Sequence, residues 1–271
     1  MTLKKNLKKL IIIIFLIIIL FFLFNYFLAY HYIPYKGRKH FNEELENIAN
    51  NNQIPIFKVS NLLLHSDIYV ESNDSSTPSY TWNINLNQYT DIAIYIEKLQ
   101  TTETFKNTIK SLYIDEINFS EPSKGIPILY YKNPFNFGKY IMNDNNKIED
   151  SFEFKIVTKS DDISDFSYPY FYNDCANPLT LSYINKNIIK DYNVPDNVQS
   201  LVFNGHILSN LQIPVDNLSA TCTFNINIIN YLDEHYKCPI TFEIPLKTNE
   251  KTITEGKITK TLDVDEYFYH L

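Results

Sequence analysis

The sequence predicts an all-β protein, an antiparallel β-sandwich with one short helix, preceded by an N-terminal transmembrane helix. Three observations carry that reading. Residues Leu10 to Ala29 hold no charge and a single amide, Asn25. Downstream, apolar and polar residues alternate with a period of two in several separate runs. The long helical periods of a doubly wound α/β fold are missing, and the five glycines, at 37, 125, 138, 205 and 256, stand far apart.

An α-helix rises about 1.5 Å per residue, so the apolar run is about 30 Å long, the thickness of a bilayer's hydrocarbon core. We read 10–33 as a signal-anchor helix and the lipid bilayer as its partner. Lys4, Lys5, Lys8 and Lys9 precede it, and no acid occurs before Glu43. Positive charge close to a span is retained on the cytoplasmic side, so 1–9 is expected to be a basic cytoplasmic tail and the C-terminal domain extracytoplasmic. Lys36, Arg38 and Lys39 oppose this and are offset by Glu43, Glu44 and Glu46. A cleaved signal peptide is the competing reading. Its apolar core spans about 7–15 residues and ends in a small-x-small site, whereas Ala29 has Phe27 two positions before it. Tyr26, Tyr30, Tyr32 and Tyr35 gather at the outer end, where aromatic rings with polar tips prefer to sit.

Residues 34–53 read as a juxtamembrane stalk, in which Phe41, Leu45 and Ile48 mark about two turns of amphipathic helix. The extracytoplasmic β-sandwich domain is expected over 54–271, with a candidate sub-boundary near 161–178. Alternation is clearest at Tyr80, Trp82, Ile84 and Leu86; at Ile92, Ile94 and Ile96; at Phe152, Phe154 and Ile156; at Cys222, Phe224, Ile226 and Ile228; and at Ile240, Phe242, Ile244 and Leu246. One apolar and one polar face per strand is the mark of antiparallel sheets packed in two layers. Further strands are expected near 54–59, 110–119, 126–131, 200–204 and 257–263, with linkers at 72–78 and 143–147. The short helix is expected from about Asn185 to Tyr192, ended by Pro195.

Charge and composition exclude several functions. Beyond the four N-terminal lysines, 20 basic residues face 31 acidic ones, a net charge of −11. That balance disfavours nucleic acid and offers no polybasic patch for anionic lipid. Arg38 is the only arginine, so the bidentate clamp used for phosphate or carboxylate is missing from the ectodomain proper. The glycine spacing permits neither GxGxxG nor GxxxxGK[ST], which removes dinucleotide and P-loop sites. We expect no cofactor.

The six histidines form no HExxH or HxH pair and none is spaced with a cysteine as zinc ligands are. Acidic clusters at Asp161, Asp162 and Asp165, and at Asp263, Asp265 and Glu266, lack the DxDxDG loop and read as charged surface. No metal site and no catalytic residue is assigned. The three cysteines are odd in number. Cys222 and Cys238 share faces with core residues, as small buried hydrophobes do. A single disulfide is the other reading. A hairpin centred near Asp233 would set Cys222 opposite a residue close to Leu246, which leaves Cys175–Cys238 as the disulfide candidate.

LeuSerAlaThrCys at 218–222 and AsnGlyHis at 204–206 superficially resemble the nucleophile strand and histidine setting of sortase-like cysteine transpeptidases. That family also joins an N-terminal anchor to an all-β catalytic domain outside the cell. The chain departs from the pattern at Ser219, where the motif has leucine. His206 stands only 16 residues before Cys222, and no arginine follows Cys222. The cation that would stabilise an oxyanion is therefore missing. Tyr168, Tyr170, Phe171 and Tyr172 around Pro169, and Tyr130, Tyr131, Phe135 and Phe137 around Pro134, are candidate binding aromatics if exposed and core packing if buried. The expected function is a non-catalytic binding or assembly component at the cell surface or envelope, with a protein or glycan partner. An extracytoplasmic hydrolase or cysteine transpeptidase is the alternative.

Overall fold

The computed structural model describes residues 2–39, 41, 55–72, 82–99, 106–133, 146–163, 168–174, 178–194 and 204–271. The expected stalk helix and both expected linkers lie largely outside these residues, as does the strand expected at 200–204. The chain forms two units, Met1–Ile54 and Pro55–Leu271.

In the first unit an α-helix spans Thr2–Phe27, widens into a π-helical turn over Leu28–Tyr32, and continues as α-helix to residue 39. The wide turn is closed by the Ile33 N–H, which donates to the Leu28 carbonyl five residues back. Asn25 spends its amide within the helix, donating to the Phe21 carbonyl at 2.9 Å. Every side chain from Ile13 to Phe27 is exposed, apolar ones included. Ile13–Lys39 is long and apolar enough to cross a membrane.

The second unit holds twelve described strands in two six-stranded sheets arranged as a sandwich. They are β1 (Phe57–Ser72), β2 (Trp82–Lys98), β3 (Ile109–Phe119), β4 (Ile126–Tyr131), β5 (Lys147–Ile148) and β6 (Ser151–Val157). There follow β7 (Tyr170–Tyr172), β8 (Leu179–Val194), β9 (Thr221–Asn230), β10 (His235–Glu243), β11 (Ile258–Tyr267) and β12 (Tyr269–His270). One sheet runs β11-β1-β2-β8-β4-β5 and the other β12-β10-β9-β3-β6-β7. All neighbours are antiparallel except β6 and β7. The predicted alternation places its apolar phase inside: Val59, Leu62 and Leu64, Ile92 and Ile94, Leu112 and Ile114, and Phe224, Ile226 and Ile228 are all at most 1% exposed. They meet in one core between the sheets.

Strands β1, β2 and β8 run 16 or 17 residues, well beyond the 9 to 11 of β3, β9 and β10. Their surplus ends are apolar on the inner face and need a different cover. A second core supplies it, joining Ile68, Ile84, Leu86, Ile188 and Val194 to Ile207 and Leu208 of a short helix (His206–Asn210), Leu218 of one 3-10 turn and Ile253 of another. The capping box at Thr252, with Glu255 reaching back to the Thr252 N–H at 2.7 Å, fixes the last of these turns.

The helix expected from Asn185 to Tyr192 is instead the C-terminal half of β8. Two bulges explain the misreading. Asn187 and Asp191 take left-handed backbone angles (φ 55 and 51), and the pairing of β8 with β2 slips at both places. Each freed N–H is captured from β2: Asn187 donates to Asn87 Oδ1 at 2.8 Å and Asp191 to Asn85 Oδ1 at 2.9 Å. Extra residues four apart break the period of two and imitate a helical spacing. The helix that does form, His206–Asn210, is one turn long and carried no such signal.

Candidate functional site

The four predicted aromatics flank and form β7, the outermost strand of its sheet. β7 lies parallel to β6, with Lys155 opposite Tyr170 and Val157 opposite Tyr172. The Lys155 N–H donates to the Pro169 carbonyl and the Asn173 N–H to the Val157 carbonyl, both at 2.8 Å. Phe171 turns inward and is buried in the main core, so it is packing and not surface. Tyr168 is 54% exposed, and Tyr170 and Tyr172 are half-buried. The Tyr168 and Tyr170 ring centroids stand 6.2 Å apart at 59°. Lys155 Nζ sits over both rings, 5.9 and 5.7 Å from the centroids. One ammonium set over two ring faces makes a patch both aromatic and cationic in an acidic domain.

Two anchors hold this patch in place. The Tyr131 hydroxyl, buried beneath Phe152 and Phe154, donates to the Tyr168 carbonyl at 3.2 Å. Burial pushes that hydroxyl's pKa up to about 12. At the other end Asn173 imitates a strand. Its Oδ1 accepts from the Ile109 N–H at 3.1 Å and its Nδ2 donates to the Ile109 carbonyl at 3.0 Å. The Lys98 ammonium also donates to Asn173 Oδ1 and to its carbonyl. Neither Lys155 nor Asn173 was singled out from sequence. Lys155 falls on the polar phase of its strand, and Asn173 lies within the candidate sub-boundary near 161–178.

Removing the Asn173 carboxamide strands both backbone groups of Ile109. Asn173→Ala is expected to cost about 2 kcal/mol and to speed exchange of the Ile109 amide. Urea unfolding of the full chain in detergent checks this. A change within about 0.5 kcal/mol, the scatter of ordinary surface substitutions, would contradict it.

The remaining candidates do not assemble. Tyr130 and Tyr131 are buried, while Phe135 and Phe137 lie outside the described residues. Cys222 and Cys238 are free and fully buried. Cys175 lies outside the described residues, so the Cys175–Cys238 pairing rests on a position the structure does not describe. Across the β9–β10 hairpin Cys222 faces Phe242, a few residues short of the Leu246 expected, and Cys238 faces Ile226. Burial pushes the Cys222 thiol up to about 12, away from the thiolate a nucleophile needs. His206 opens the short helix and is exposed.

Asp161 closes its own turn, accepting from the Thr158 N–H at 2.6 Å, and that bond holds its carboxyl below the usual range. Asp265 pairs with Lys58 at 3.2 Å. Among the described residues no three His, Cys, Asp or Glu side chains converge to hold a metal. Strand addition at the long outer edge is also guarded. β11 carries Lys260, Asp263, Asp265 and Glu266, and a bulge at Asp265 (φ 48) breaks its register with β1. No protein-family model, curated protein or solved structure matches the chain.

Proposed function

We propose that this chain is a single-pass membrane protein that binds a partner at the cell surface or envelope through the Tyr168–Tyr170–Lys155 patch. The observation that carries the reading is that patch: exposed Tyr168 and half-buried Tyr170 with a lysine across them, tied down by Asn173 and Tyr131 at a short edge strand. Tyrosines contribute large contact area at little entropic cost, and so dominate many binding surfaces. The uncovered apolar helix Ile13–Lys39 supports membrane anchorage. Lys4, Lys5, Lys8 and Lys9 support an N-terminus on the cytoplasmic side and the sandwich outside it. The net charge of −11 beyond those lysines argues for a protein or glycan partner and against nucleic acid. The high thiol pKa of Cys222 gives the transpeptidase alternative no support.

The test is crosslinking in intact cells, followed by purification through the anchor and mass spectrometry, with wild type beside Tyr168→Ala/Tyr170→Ala. The variant is expected to lose partner enrichment by about tenfold or more, the effect of removing an interface hot spot. Equal enrichment from both chains would refute the patch. Absence of any protein partner, with retained binding to a glycan array, would assign the patch to sugar.

A further inference from the structure

Between the two apolar cores runs a row of polar side chains that the function above does not use. Ser66 on β1, Gln88 and Thr90 on β2, and Tyr183 and Asn185 on β8 all lie on the inner face, and each is 0% exposed. The register makes them neighbours: Thr90 stands opposite both Ser66 and Tyr183, and Gln88 opposite Asn185. Two of the five satisfy each other, Ser66 Oγ and Thr90 Oγ1 at 2.6 Å. Asn185 Nδ2 donates to the Lys124 carbonyl at 2.8 Å. Four atoms have no hydrogen-bond partner among the described residues: Gln88 Nε2, Gln88 Oε1, Tyr183 OH and Asn185 Oδ1.

These orphans are not a matter of amide orientation. Both ends of the Gln88 carboxamide lack a partner, so a flip changes nothing. Asn185 keeps its orientation because its Nδ2 bonds the Lys124 carbonyl, and a flip would set the amide oxygen against that carbonyl. Buried polar groups in folded proteins are almost always satisfied, and the usual agent where protein atoms do not reach is ordered water.

We propose that this seam is a buried hydration site, in which water bridges Gln88, Tyr183 and Asn185 across β2 and β8. The chemistry selects the ligand. The set mixes neutral donors (Gln88 Nε2, the Tyr183 hydroxyl) with neutral acceptors (Gln88 Oε1, Asn185 Oδ1), and none of the five side chains is charged. Neither a cation nor an anion would find compensating charge among them. Water both donates and accepts, and makes about three bonds in such sites.

A crystal structure of the full chain in detergent, at a resolution that shows ordered water, tests this directly. The expected result is density about 2.7–3.2 Å from Gln88 and the Tyr183 hydroxyl. Side chains repacked into direct Gln88–Tyr183 or Gln88–Asn185 bonds, with nothing between them, would overturn the proposal. Oxygen-17 relaxation dispersion in detergent supplies the solution readout. A long-lived water signal is expected in wild type and reduced in Gln88→Leu/Tyr183→Phe; no such signal in wild type refutes the site. Should that variant fail to fold, the wild-type density and dispersion decide by themselves.

Discussion

Replacing Gly205 with alanine is expected to destabilise the sandwich by about 3 kcal/mol, at the upper end of overpacking effects. Gly205 has an ordinary helical φ of −54, so the requirement is space and not a left-handed backbone. A Cβ at this position would stand 1.7 Å from the Ile253 carbonyl oxygen and 2.8 Å from its carbon. That atom belongs to backbone, and backbone cannot rotate aside as a side chain does. To admit the methyl group, the helix His206–Asn210 must part from the turn Ile253–Glu255. Both supply the second core, through Ile207, Leu208 and Ile253, so the surplus ends of β1, β2 and β8 would lose their cover. Urea unfolding in detergent measures the effect. Ser209→Ala, exposed on the same turn, serves as the control and should shift stability by less than about 0.5 kcal/mol. Matching midpoints for the two variants would refute the close approach.

Stability is also expected to fall steeply in alkali. Burial raises the Cys222 and Cys238 thiols from 9.0 to about 12, while Tyr131 rises to about 12. Tyr89, Tyr183 and Tyr236 rise further for the same reason. In each case the folded state holds the proton more tightly than the unfolded chain does. The associated stability is therefore fully present below the unfolded pKa, and is lost as pH climbs from that value toward the folded one. For the thiols the window opens near pH 9. Between pH 8 and pH 10 the pair should remove about 3 kcal/mol, roughly half from each. Unfolding of the reduced full chain across that range checks it. Cys222→Ala/Cys238→Ala should start less stable, from the lost packing, yet decline less over the same interval. Parallel declines would show that the thiols do not titrate on unfolding.

The buried thiols also show where reading from sequence succeeds. Cys222 alternates in phase with Phe224, Ile226 and Ile228, and all four are 0% exposed. That inference needs only the side-chain period of a strand, which every residue obeys locally. β4, expected at 126–131, and β3, expected at 110–119, emerge within a residue for the same reason. From Trp82 on, the run expected at Tyr80–Leu86 joins that at Ile92–Ile96 in a single strand, β2, because Gln88 and Thr90 keep the inward phase while being polar; Tyr80 lies outside the described residues. Polarity at those positions hides the continuity.

The patch on β7 was half legible. An aromatic cluster beside a proline is visible in the chain, but which rings face outward depends on pairing with β6, and the Asn173 clamp spans 64 residues to Ile109. Nothing near Asn173 in the chain marks Ile109 as its partner.

By itself, the sequence determined the apolar span, the antiparallel two-layer character and the inward phase of most strands, since each follows from the periodicity of neighbouring residues. Tertiary structure alone decided that β8 is a bulged strand, that a one-turn helix closes a second core, and that Tyr168, Tyr170 and Lys155 share one edge. Those outcomes depend on groups far apart in the chain: Asn85 and Asn87 capturing bulge N–H groups 100 or more residues away, and Ile253 closing over Gly205. Local periodicity carries no information about which distant backbone a side chain will meet.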